Sequence, residues 1–167
     1  MATVKIGYIA DTQLTITLAS LATSATLVAG RESTAVDNTS NLYLDYLLSG
    51  KITTGTTPTT LKQIEVWVAS PINDTPTWPD VLDGTDSVET LTSLDIKNSG
   101  LRLAAVMNTD ATSDRTYYFS QVSVASLFGG VCPAKFVVFV THNTAVNLNS
   151  TTGNHEISVQ GITNTVA

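Results

Sequence analysis

Only one cysteine, Cys132, occurs in the 167 residues, so no intrachain disulfide can form and the redox compartment is left open. Basic residues are also few. Eight Lys and Arg are scattered against fourteen Asp and Glu, for a net charge of −6. Phosphate recognition draws on clustered Lys and Arg, so nucleic acid is not expected as a partner. No apolar run approaches the ~20 residues of a membrane-spanning helix, so no membrane partner is expected. The first residues, Met1-Ala2-Thr3-Val4-Lys5-Ile6, lack a basic region followed by an apolar core, so no signal peptide is expected either. The spacings His-x-His, Cys-x-x-Cys, His-Glu-x-x-His and Gly-x-Ser-x-Gly do not occur. Without them the chain offers no preformed metal set or nucleophile–base pair, and neither an enzyme nor a cofactor is expected.

Hydroxyls and small apolar side chains fill the chain instead. Ser and Thr make up roughly a quarter of it, well above ordinary usage, while charged residues are 13%. Abundant Thr, Val and Ile favour strands, where branched side chains fit the pleat. The clearest stretch runs from Lys135 to Thr163. Phe136-Val137-Val138-Phe139-Val140 is apolar throughout, the turn formers Asn149 to Asn154 follow, and His155 to Gln160 alternates. This predicts a hairpin with a central strand beside a half-exposed one.

Val4–Ile9 alternates weakly and Leu14–Leu18 well, and either serves as a first strand or as part of an arm. Further strands are predicted within Ala19–Ala29, at Leu42–Leu48, Ile64–Val68, Leu101–Met107 and Thr116–Val124. In the strand at 42–48, Leu42, Leu44, Tyr46 and Leu48 share a face. The stretch from Ser70 to Asn98 is a long acidic loop, and Asp86-Ser87-Val88-Glu89 resembles a capping box that would start a short helix at Ser87. About eight short strands without alternating helices predict an all-β, antiparallel two-sheet sandwich. A jelly roll is the first choice and an immunoglobulin-like sandwich the second. Residues 1–18 are read as an N-terminal arm or edge strand, and 19–167 as a single sandwich domain.

Few residues point to a site. His142 and His155 flank the predicted hairpin and are read as strand-end histidines. Cys132 is read as a small buried hydrophobe. Asp74, Asp80, Asp83, Asp86 and Glu89 supply calcium-type ligands without an EF-hand spacing, and a solvated acidic loop explains them as well. Trp78, between Pro76 and Pro79, is a candidate interface anchor or sugar platform, or a pin for the loop. Val137 and Phe139 lie opposite Val138 on a strand apolar on both faces. In a free sandwich each sheet has one wet side, so these two residues meet either another protein or a covering loop.

Several segments resemble a group of small virion structural proteins of tailed bacteriophages. They are Ser24–Ser33, Asp37–Asn41, Asp110–Tyr117, Ser123–Gly130 and Val140–Thr144. The resemblance spans most of the chain from about Ala22 onward and transfers no catalytic residue. It implies a capsid decoration (cement) protein, made in the host cytoplasm and bound to the head surface. The implied partners are the major capsid protein, other virion proteins and further copies of the chain. A tail, neck or head-fibre subunit is the alternative within virions. A glycan-binding sandwich using Trp67, Trp78 and the tyrosines is the alternative outside them.

Overall fold

The computed structural model describes residues 3–166. Eleven strands appear among them: β1 (Val4–Tyr8), β2 (Thr12–Gln13), β3 (Ala29–Glu32), β4 (Val36–Asp37), β5 (Asp45–Thr53), β6 (Lys62–Ala69), β7 (Val88–Thr90), β8 (Arg102–Thr109), β9 (Thr116–Ser123), β10 (Lys135–His142) and β11 (Glu156–Val166). Two short helices, α1 (Leu94–Gly100) and α2 (Val124–Leu127), interrupt them. The chain is a nearly all-β sandwich of two antiparallel sheets. One sheet runs β1-β11-β5-β9, with β2 also on β11. The other runs β7-β3-β10-β6-β8, with β4 also on β10. The pairing is nested: β1 and β2 pair with β11, β3 and β4 with β10, β5 with β9, and β6 with β8.

The hairpin expected between β10 and β11 does not form, because the two strands lie in different sheets. Residues 143–155 make a connection much longer than the two to about five residues of a hairpin loop. They carry the chain from one layer to the other. Each strand still has the burial its pattern implies: β10 is buried from Phe136 to His142, and β11 alternates from Glu156 to Gly161.

Between the sheets lies the main core. Leu48 and Ile52 of β5 and Ile157 and Val159 of β11 face Ile64, Val66 and Val68 of β6 and Phe136, Val138 and Val140 of β10. A second cluster lies on the far side of the β10 sheet. There Trp67, Ala69, Val137 and Phe139 meet Trp78, Leu82, Leu91 and Leu101 from the stretch after β6. This third layer explains a strand apolar at every position: the loop, not solvent, covers its outer face.

Local chemistry overrides pattern at three places. Leu42 and Leu44 are exposed and precede β5 rather than lying in it. The Asn38 side chain accepts from Tyr43 N–H and donates to Tyr43 C=O, both at 2.9 Å, and Leu42 takes a positive φ in the resulting turn. Between Ala19 and Val28 no strand forms, because Ser20 and Leu27 also take positive φ and the segment turns on itself. Ser87 does not start a helix. Its neighbours Val88–Thr90 pair with β3 instead, and α1 starts later, where Ser93 Oγ accepts from Ile96 N–H.

Beneath this loop sits Glu32, fully buried, accepting from the N–H groups of Asp83 (3.1 Å) and Gly84 (2.8 Å). Burial raises its pKa to about 7, against the lowering effect of those two donors. A raised carboxyl favours the fold fully below the ordinary value of 4.5, and that contribution is lost as pH climbs through 7. Glu32→Gln keeps an acceptor and cannot ionise. The stability of wild type relative to this variant should therefore fall between about pH 5 and pH 8. Urea midpoints at the two pH values check this, and an unchanged gap would mean that Glu32 does not titrate there.

Candidate interaction surface

The expected interface residues Val137, Phe139 and Trp78 are a correction. All three are buried and pack together beneath the 70–101 stretch, so none presents a docking face. Apolarity on both faces of β10 reflects a third layer supplied by the same chain. Trp67 belongs to the same cluster, so neither tryptophan can act as an open sugar platform. Tyr8 and Tyr118 are the strongly exposed tyrosines.

Both histidines are committed to the frame. His142 is fully buried, and its Nε2 lies 3.1 Å from the Leu21 carbonyl, which only an N–H can face. Its Nδ1 lies 3.0 Å from the Thr144 hydroxyl, whose one proton also faces the Val146 carbonyl at 3.0 Å. Burial depresses its pKa to about 4. His155 likewise donates from Nε2 to the Asn149 carbonyl (2.8 Å), and its Nδ1 accepts from Thr53 N–H (3.4 Å). With both nitrogens of each ring engaged, neither imidazole is placed as a base or metal ligand. Burial pushes the Cys132 thiol up to about 11, far from a reactive thiolate.

The acidic loop is stitched down by its own carboxylates. Asp86 accepts from Arg31 Nε (2.6 Å) and from the Thr17 N–H (2.9 Å) and hydroxyl (2.6 Å). Asp80 accepts from the Thr92 N–H (2.6 Å) and hydroxyl (2.8 Å). Among the described residues, no three His, Cys, Asp or Glu side chains gather as a metal cluster.

The exposed face of the β1-β11-β5-β9 sheet carries two features. One is a shallow groove of about 400 Å³ lined by Ser49, Lys51, Tyr118, Gln121, Glu156 and Gln160. Here β9 bulges, placing Ser120 and Gln121 opposite Ser49, and Gln121 adopts φ +54° while its N–H donates to Ser49 Oγ at 2.9 Å.

The other feature is a ribbon. β11 pairs with β5 only up to Ile162, where Asp45 is the partner. Beyond that point it pairs with β1 alone, in the register Val4↔Val166, Ile6↔Asn164 and Tyr8↔Ile162. Directly opposed residues share a face, so Val4, Ile6, Tyr8, Ile162 and Val166 form an apolar stripe interrupted only by Asn164 opposite Ile6. Their exposure is high: Val4 63%, Ile6 66%, Tyr8 64% and Val166 73%. A two-stranded ribbon is marginal in water, and none of the stripe's side chains joins either buried cluster among the described residues.

No protein-family model matches the chain, and no curated protein matches it.

The ribbon relocates the arm expected over residues 1–18. Leu14 and Leu18 are core residues, and Leu14 N–H donates to the Ile157 carbonyl at 2.8 Å. The peripheral part therefore ends near Gln13. The partner half of the ribbon, Ile162 to Val166, lies beyond the alternating stretch His155–Gln160. Its signal is weak, because polar Asn164 falls between Ile162 and Val166 and breaks the apolar–polar alternation.

Proposed function

We propose that the protein is a structural component of a tailed-phage virion, a capsid decoration protein bound to the outside of the head lattice and bridging capsid subunits. The exposed apolar ribbon is the observation that carries this reading. A stripe of Val, Ile and Tyr held out from a sandwich stays in water only at a cost, and a neighbouring subunit removes that cost. The resemblance in sequence supports the same assignment. So does the nested strand pairing, first with last and inward from there, which we read as a jelly roll, a rolled-up antiparallel hairpin. Side-chain chemistry agrees, since the histidines and the cysteine are tied into the fold rather than poised at an opening.

On this reading, the protein should be abundant in purified particles at a fixed ratio to the major capsid protein. It should stay bound at about 1 M salt, where screening acts within ~3 Å. Removing residues 2–12 should leave a β-rich folded domain and abolish retention on particles. Presence in only a few copies would assign it to the tail or neck. Release by salt with the ribbon intact would mean that charge pairs, not the ribbon, hold it.

A further inference from the structure

We propose that the groove across β11, β5 and β9 is a binding site for a neutral oligosaccharide. The inference goes beyond the virion assignment and stands on the groove alone, independently of the ribbon.

Strand register builds the groove. On the outer face of β5, Leu47, Ser49 and Lys51 follow one another at every second position. Ser49 opposes Ser158 of β11 and, across the bulge, Ser120 and Gln121 of β9. A row of small hydroxyls therefore crosses the strands as a floor. One wall is the row Tyr118, Lys51 and Glu156, and the other is set by Leu47 and Gln160. Along β5 the walls stand about 13 Å apart, at ~3.3 Å per residue. Long side chains on either side of a serine row leave the trough of about 400 Å³.

The lining selects among occupants. Lys51 is its one cation among the described residues, and the ammonium already lies 3.5 Å from Glu156, while Asp11 adds a further carboxylate. Phosphates and acidic sugars therefore find no free positive charge. β5 is paired on both sides, so an incoming peptide cannot add to the sheet here as a strand. What is left is hydroxyl and carboxamide chemistry. The side chains of Gln121, Gln160 and Tyr118 make no hydrogen bond to the described residues, whereas Asp86, Asp80 and Asn38 in the loops are tied down. Carboxamides donate and accept, as sugar hydroxyls do. Tyr118 is 71% exposed and offers an apolar ring against which the C–H face of a pyranose packs. Gln121 reaches its place through a bulge at φ +54°, a backbone state that is strained for a non-glycine residue and concentrates at ligand sites.

Saturation-transfer NMR on the full chain tests this, with neutral oligosaccharides of glucose, galactose, mannose and N-acetylglucosamine at about 1 mM. At least one of them should bind, with a Kd of about 0.1–1 mM for so open a trough. Tyr118→Ala should weaken that binding at least about ten-fold. Ser158→Tyr, which fills the floor, should abolish it, and Tyr8→Ala on the ribbon should bind as wild type. No transfer from the wild type to any of these sugars overturns the proposal. So does tighter binding of an acidic oligogalacturonate, or undiminished binding by Tyr118→Ala and Ser158→Tyr with native dichroism spectra. Should Ser158→Tyr misfold, Tyr118→Ala alone decides. Sugar binding without retention on particles would leave the groove standing and sink the virion assignment, and the opposite result would do the reverse.

Discussion

Phe139→Asp should abolish folding rather than detach a folded protein from a partner. Phe139 is fully buried in the second cluster with Val137, Trp67 and Trp78. Truncating such a phenylalanine to alanine costs about 3–5 kcal/mol in transfer and cavity terms. An aspartate at the same place adds the cost of an unpaired buried charge, several kcal/mol more. The sum is comparable to the whole stability of a domain, about 5–15 kcal/mol. Val137→Asp should behave the same way, and Phe139→Ala should remain folded with a lowered urea midpoint. A Phe139→Asp protein with a native dichroism spectrum and lost particle binding would instead make this face an interface.

Lys97→Ala should lose about 3–5 kcal/mol, the range for breaking a buried ion pair from one side. Lys97 lies in α1 with only 1% exposure. Its Nζ donates to Glu65 Oε2 at 2.7 Å and to the Leu27 carbonyl at 2.8 Å, and stands 4.8 Å from the centre of the Trp67 ring. Glu65 also accepts from Gln63 Nε2 (2.6 Å) and Trp67 Nε1 (2.8 Å). One ammonium therefore ties the helix, the 19–28 loop and β6 together. Removing it strands a buried carboxylate. Lys97→Met combined with Glu65→Gln should recover most of the loss, because the uncompensated charge is then gone. Urea titration of both variants checks this, and a single-variant loss below about 1 kcal/mol would mean that water reaches Glu65.

These two residues mark what could be read before folding and what could not. Lys97 appears in the sequence as the only basic residue of an acidic loop, a surface feature by any compositional rule. Its burial depends on a glutamate more than thirty positions away, and no local pattern encodes that pairing. Phe139 shows the opposite limit. Its strand was legible, as was the need to cover both faces, but whether the cover was the same chain or another one was not.

What the sequence by itself determined was class and strand content. The period-two alternation of Ile64–Val68 and Ile157–Val159 specifies strands, because alternate side chains must reach opposite sides of a pleat. Sparse charge and abundant Thr and Val point the same way. Only the tertiary structure decided which strands are neighbours, that β10 and β11 lie in different layers, and that the loop after β6 supplies a third layer. It also decided that the exposed apolar stripe lies on the β1–β11 ribbon rather than on Val137 and Phe139. Strand patterning is local and repeats every two residues. Layer assignment is a choice among distant partners with nearly identical patterns, and it is settled by loop reach, by capping residues such as Asn38, and by buried pairs such as Glu65–Lys97.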